Sequence, residues 1–473
     1  MKKYITFIFF LLICVGTHAS TQSDLNDIIA RAPSNVNIGV KVQSMENENV
    51  IYSLNADRYY IPASTQKTLT AAAALLYLGK SFEFKTTLYH TGKIRADGTL
   101  DGNVYFKFSG DPTLTTDDLR GLIAELSKLG VKKINGSVYL DNTLYDAKAY
   151  GSGWMWDDQN DCYSAPLNAI IINHNCFDID LIAGRHVGSN TRIEGDNELM
   201  YTPVINQVVT RNFTANDNSC LLDVNVDPNN NYYLTGCVTP GSPAQTLSFA
   251  IRYVEPFAKQ VITGLFKAAH ITVRGYVSFA PVPVAAHETA AHYSLPLANL
   301  ITIMLKQSDN LIADTLFKTL GAFYFQGQGN WNNGARAVTA ILQQYAKVDL
   351  SDDAIVDGAG LSRYNLVTPD DFSQLLDSVY HNPNMGGAFI AGLPIAGVDG
   401  TLANKVNGRD IILRSNIQAK TGSMTGVLAL VGYVYTKQNH ILSFVIMINN
   451  FPGKVYPYFD LEMRIAEYLI RHE

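Results

Sequence analysis

Polar positions crowd the start of one long apolar run. Pro62-Ala63-Ser64-Thr65-Gln66-Lys67 leads into Thr68-Leu69-Thr70-Ala71-Ala72-Ala73-Ala74-Leu75-Leu76-Tyr77-Leu78 before Gly79. Alanine and leucine are strong helix formers. Proline suits a first helical turn and glycine a C-terminal stop. The run therefore predicts about four turns of mostly buried helix, with Ser64 and Lys67 in its first turns. Upstream, after a short N-terminal helix, Val36 to Val42 alternates as a strand does, and Asn47-Glu48-Asn49 turns it back into Val50 to Leu54. The far end mirrors this hairpin. Val427 to Tyr435 and Ile441 to Ile448 are apolar strands around a Thr436-Lys437-Gln438-Asn439 turn, followed by an amphipathic helix from Phe459 to Ile470. Near-continuous apolar strands are buried on both faces, so helices are expected on both sides of this sheet.

The middle of the chain changes character. Residues 85–108 are strand-like, with Asp97-Gly98 and Asp101-Gly102 turns. Leu119, Leu122, Ile123, Leu126 and Leu129 give 117–129 helical spacing, and 131–140 is again strand-like. Residues 185–245 are rich in Asn, Gly, Thr and Pro and alternate weakly, which reads as strands with loops. Helical patterns return from Pro296. The pattern suggests a module inserted into one catalytic domain.

A basic start at Lys2-Lys3, an apolar stretch from Tyr4 to Val15 and the small-x-small Thr17-His18-Ala19 predict a secretory signal peptide over 1–19. Ile13 before Cys14 is not the small residue a lipidation signal uses. No later apolar run is long enough to span a membrane, so a soluble mature protein is expected. Losing Lys2 and Lys3 takes the formal charge from -6 to -8, which argues against a nucleic-acid partner. Cys162, Cys176, Cys220 and Cys237 remain, an even number in an exported chain. Of three pairings, the local ones are expected, Cys162–Cys176 and Cys220–Cys237.

Residues three apart share a helix face, so the Lys67 amine can reach the Ser64 hydroxyl. A desolvated lysine loses its proton near neutral pH and can serve as the base a serine nucleophile needs. The helix N-terminus favours a developing oxyanion. Taken alone, Ser and Lys in one first turn signify little. Two further stretches point the same way. Ser308-Asp309-Asn310 interrupts an apolar helical pattern, where Ser308 could instead simply cap a helix starting at Asp309. Lys420-Thr421-Gly422-Ser423 precedes the strand at Val427, and Gly422 suggests close approach of a ligand to the strand backbone. His287-Glu288-Thr289-Ala290-Ala291-His292 is not a zinc helix, because its second histidine is one residue late. Gly327-Gln328-Gly329 does not continue as a dinucleotide fingerprint. No metal and no cofactor are expected.

Together the three motifs are the Ser-x-x-Lys, Ser-x-Asn and Lys-Thr-Gly set. The chain resembles penicillin-binding D-alanyl-D-alanine carboxypeptidase/endopeptidases of the low-molecular-mass class C group, which carry a long insertion between the first two motifs. Residues 108–114, 357–363 and 393–402 are also similar to that family. The resemblance implies a multidomain α+β chain. A transpeptidase-like domain, its antiparallel sheet between helices, is interrupted by two nested inserted domains. The expected boundaries are 20–81 and 282–473 for the catalytic domain, 82–106 and 177–281 for the inserted domain, and 107–176 for the nested one.

The resemblance also assigns roles. Lys67 takes the Ser64 proton, and Ser64 attacks the carbonyl between two D-alanines. Ser308 passes a proton to the leaving amine, and Asn310 holds the substrate amide. Lys420, Thr421, Gly422 and Ser423 receive the terminal carboxylate. Asp158 and Arg363 line the outer site, with Asp158 facing the free amine of a diamino acid in the stem peptide. Peptidoglycan peptides would be the substrates, β-lactams the inhibitors and the periplasm the location. A β-lactamase shares the motifs, but the Glu-x-x-Leu-Asn segment of class A is absent, and class C has Tyr where Ser308 stands. A non-catalytic wall-binding scaffold would be expected to lose its nucleophile.

Overall fold

The computed structural model describes residues 21–33, 35–195, 201–214 and 220–473. The expected signal segment lies outside them. Five strands build the central sheet: β1 (Asn37–Ser44), β2 (Val50–Leu54), β3 (Ile417–Met424), β4 (Val427–Tyr435) and β5 (Ile441–Asn449). Their order is β2-β1-β5-β4-β3, antiparallel throughout, so the two ends of the chain meet where Val40 pairs with Ile446. The helices that matter to the site are α1 (Gln66–Tyr77), α2 (Leu297–Gln307), α3 (Asn310–Phe325) and α4 (Tyr456–His472). Strand β4 shows why the expected layers form. Ala429, Val431 and Tyr433 join the core of α1, α2 and α3, while Leu428, Leu430 and Val434 join that of α4. Every residue of α1 from Gln66 to Leu75 is buried, the polar Gln66, Lys67, Thr68 and Thr70 of its first turns included.

The inserted region holds a second five-stranded sheet of Val277–Phe279, Val138–Asp141, Val104–Lys107, Lys85–His90 and His287–Tyr293, in that order. Helices Thr116–Lys128 and Val254–Ala268 pack their apolar faces into its core. Smaller sheets occupy the stretch between Cys176 and Ala250. Strands pair across the expected boundaries. Val138–Asp141, placed in the nested domain by the resemblance, pairs in parallel with Val104–Lys107. His287–Tyr293, placed in the catalytic part, pairs with Lys85–His90. A parallel pair needs a crossover, here the helix Thr116–Lys128, and such pairing leaves no local mark in the sequence. The histidines of the rejected zinc pattern sit on this strand, not on a helix.

One extended segment stitches the two bodies together. Leu167, Ala169 and Ile171 pack in the core shared with α1 and α3, while Ile170 and Ile172 pack in the inserted core. Alternation with period two directs neighbouring side chains to opposite sides.

Sulfurs are paired Cys162–Cys176 and Cys220–Cys237, 14 and 17 residues apart. Each closed loop contributes about 3 kcal/mol by restricting the unfolded chain. Reduction should therefore loosen residues 160–240, read as faster amide exchange there, while α1 and β3–β5 stay protected. Equal loosening of the central sheet would contradict this. Among the described residues, no helix is long and apolar enough to cross a membrane.

Candidate active site

Ser64 sits in a single 3-10 turn, Ala63–Thr65, that leads into α1. Ala63 just before it has φ of +47°, in the left-handed region that L-residues rarely adopt. The turn is held from two sides by glycines. A Cβ on Gly422 would stand 2.6 Å from the Pro62 carbonyl oxygen, and one on Gly360 would stand 1.9 Å from that of Ala63. Gly422 thus admits the protein's own nucleophile turn, where the sequence suggested room for a ligand.

Lys67 is fully buried one turn later. Its Nζ donates to Ser64 Oγ at 2.9 Å, to Asn310 Oδ1 at 2.6 Å and to the Ala359 carbonyl at 2.6 Å. Burial pushes its pKa down to about 8, against the partial pull of Asp314, Asp357 and Asp309. Ser308 ends α2 in the left-handed conformation, and the cap of α3 is Asp309, whose Oδ1 accepts from the Ile312 N–H at 2.8 Å. Ser308 is therefore not the helix cap, and its Oγ is free to accept from Lys420 Nζ at 2.9 Å.

Lys420, on β3, is buried too and also donates to its own neighbour's carbonyl at Thr421. Burial and the nearby charge of Lys67 hold its pKa well below the usual lysine range. Thr421 Oγ1 shares a hydrogen bond with Thr401 Oγ1 at 2.8 Å, while Ser423 is exposed. Ser64, Lys67, Ser308, Asn310 and Lys420 gather as two hydrogen-bonded sets, Ser64–Lys67–Asn310 and Ser308–Lys420, joined through the backbone between Ser308 and Asn310.

The outer residues attach to its rim. Asn310 Nδ2 donates to the Tyr163 carbonyl at 2.6 Å, and the Tyr163 hydroxyl donates to Asp158 Oδ1 at 2.8 Å. Arg363 donates to the Thr425 carbonyl at 2.9 Å, in the turn after Ser423.

Several residues that hold the cluster went unassigned from the sequence. Asp357 accepts from the N–H groups of Gly360 and Ser362, from Asn365 Nδ2 and from Trp154 Nε1. Asp314 accepts from the N–H groups of Gly358 and Ala359. Together they set the loop whose Ala359 carbonyl faces Lys67. The one local clue was an acid heading a glycine-rich stretch at 357–360. Asp314 lies inside the apolar pattern of α3 and gives no such clue.

The profile of the D-Ala-D-Ala carboxypeptidase 3 (S13) family matches residues 21–462. The chain is 34% identical over 445 residues to the D-alanyl-D-alanine carboxypeptidase DacB of Haemophilus influenzae, covering 93% of this chain and 91% of that protein. It is 31% identical to a D-alanyl-D-alanine carboxypeptidase of an Actinomadura species, covering 91% and 81%. The crystal structure of penicillin binding protein 4 from H. influenzae superposes with a TM-score of 0.87 at 34% identity, over 94% of this chain and 99% of that one. The same protein complexed with a β-lactam superposes with a TM-score of 0.82 at 32% identity, over 95% and 99%. With matches of this extent and a Ser–Lys pair already in contact, the chain belongs to the D-Ala-D-Ala carboxypeptidase 3 (S13) family.

Proposed function

We propose that this protein is an exported serine D-alanyl-D-alanine carboxypeptidase acting on peptidoglycan stem peptides, and a DD-endopeptidase on their cross-links. The observation that carries the reading is the 2.9 Å contact between Ser64 Oγ and a buried Lys67 whose pKa falls to about 8. In acylation, neutral Lys67 takes the Ser64 proton while Oγ bonds the carbonyl carbon of the penultimate D-alanine. The C–N bond then breaks, and the leaving amine takes a proton from Ser308, which is replenished by the proton that Lys67 took, so that Lys67 is neutral again. Backbone N–H groups of Ser64 and Ser423 hold the oxyanion, worth about 3 kcal/mol per donor. In deacylation, neutral Lys67 takes a proton from water as the water oxygen bonds the ester carbon, and returns it to Ser64 Oγ as the C–O bond breaks.

Asn310 holds the substrate amide. Thr421 and Ser423 meet the terminal carboxylate, with the Lys420 charge behind them. Asp158 and Arg363 meet the stem peptide further out, Asp158 facing a free amine. The nested division of the middle into two inserted domains and a periplasmic location belong to the same reading. Mass analysis of monomeric and cross-linked muropeptides after incubation tests it. Loss of one D-alanine from pentapeptide monomers and opening of dimers are expected. Unchanged muropeptides would overturn it.

A further inference from the structure

His174 belongs to the inserted region, and its Nε2 lies 2.9 Å from Asp309 Oδ2, between Ser308 and Asn310. Its Nδ1 lies 3.2 Å from the carbonyl oxygen of Pro112. A carbonyl only accepts, and an ionised carboxylate only accepts, so both ring nitrogens carry hydrogen and the ring is an imidazolium. Electrostatics agree. Burial opposes charge on both groups, yet their mutual bond raises the His174 pKa and lowers that of Asp309, on which Lys67 also acts.

The backbone is built to present this ring. Asn173, His174 and Asn175 all have positive φ, a run of left-handed residues that is costly without firm anchors. The anchors are present. Asn173 exchanges two bonds with Thr116, and Asn175 accepts from the Ile172 N–H and donates to the Ile170 carbonyl. Just before the turn runs the segment that packs alternately into both cores.

We propose that His174 is a positioning residue for acylation: its imidazolium clamps Asp309 and so fixes Ser308 and Asn310 against Lys420 and Lys67. Asp309 is the natural handle, since its other oxygen caps α3 and Asn310 is the first residue of that helix. His174 thereby completes the catalytic geometry without touching substrate. This inference rests on the acyl-enzyme reading above.

The test is a double-mutant cycle on penicillin acylation, with the binding and acylation steps measured separately. His174→Asn tolerates positive φ but is too short to reach Asp309. His174→Gln can place an amide N–H near the position of Nε2. Asp309→Asn keeps a good helix cap and loses the charge. A misplacement of about 1 Å costs up to about a hundredfold. His174→Asn should therefore slow the acylation step about tenfold to a hundredfold with little change in penicillin binding. His174→Gln should recover most of that loss. Adding His174→Asn to Asp309→Asn should cost little more than Asp309→Asn alone. Acylation by His174→Asn within twofold of the native rate, or fully additive losses in the double variant, would overturn the proposal. If His174→Asn does not fold, the cycle is run with His174→Gly, which also accepts positive φ and removes the ring, and the additivity criterion decides. Failure of the native protein to be acylated would instead defeat the underlying functional reading.

Discussion

Lys67→Met should be acylated by penicillin about a thousandfold more slowly than the native protein while remaining folded. Methionine nearly matches the lysine stem in length and fills the buried site, so the packing of α1 survives. What disappears is the base at Ser64 Oγ and the donor that ties Asn310 and the Ala359 carbonyl together. A positioned base contributes about a hundredfold to ten-thousandfold, and loss of the tie to Asn310 adds to the effect. The native rate should also depend on pH with a definite sign. The reactive form of Lys67 is neutral, and its pKa is lowered to about 8. At pH 7 about a tenth of the molecules carry the neutral amine, so the rate should rise with pH and level off above about 8. Lys67→Met should lack that rise. Stopped-flow acylation over a pH series measures both. A variant within tenfold of native, or one that keeps the rise, would remove Lys67 from the role of base.

Asp357→Ala should destabilise the fold by at least about 4 kcal/mol. The carboxylate is fully buried and takes hydrogen bonds from two backbone N–H groups, one amide and one indole. Each orphaned buried donor costs about 1–3 kcal/mol, and four are left at once. A domain has about 5–15 kcal/mol in total, so much of the margin goes. The loss should spread to the chemistry, because the same loop presents the Ala359 carbonyl to Lys67. Urea denaturation gives the stability change, and penicillin uptake at low temperature gives the activity of whatever remains folded. A stability loss below about 1 kcal/mol would mean that the loop does not depend on this carboxylate.

The contrast between Lys67 and Asp357 shows what a sequence can and cannot display. Ser64 and Lys67 are three residues apart on one helix, so local geometry brings them together. The near-continuous apolar runs of β4 and β5 show a sheet buried on both faces, again a local signal. The contacts of Asp314 and Asp357 with the site are long-range, and beyond the glycine-rich stretch that follows Asp357 nothing local marks them. Ser308 was legible as a candidate, but not that Asp309 takes over the capping and leaves the serine to Lys420. A glycine at 422 signals close approach to the strand backbone, but its type does not say that the Pro62 carbonyl, and not a ligand, is what lies against it. The grouping of strands in the inserted region was hidden by parallel pairs, whose partners lie more than thirty residues apart in the chain.

The central claim is that Ser64 is the nucleophile of an acyl-enzyme. Intact-protein mass spectrometry after brief exposure to penicillin tests it most directly. The native mature protein should gain the mass of one penicillin, and peptide mapping should place it on Ser64. Ser64→Ala, folded to the same extent, should gain nothing. Label retained in Ser64→Ala, or found on any other residue of the native protein, would contradict the account.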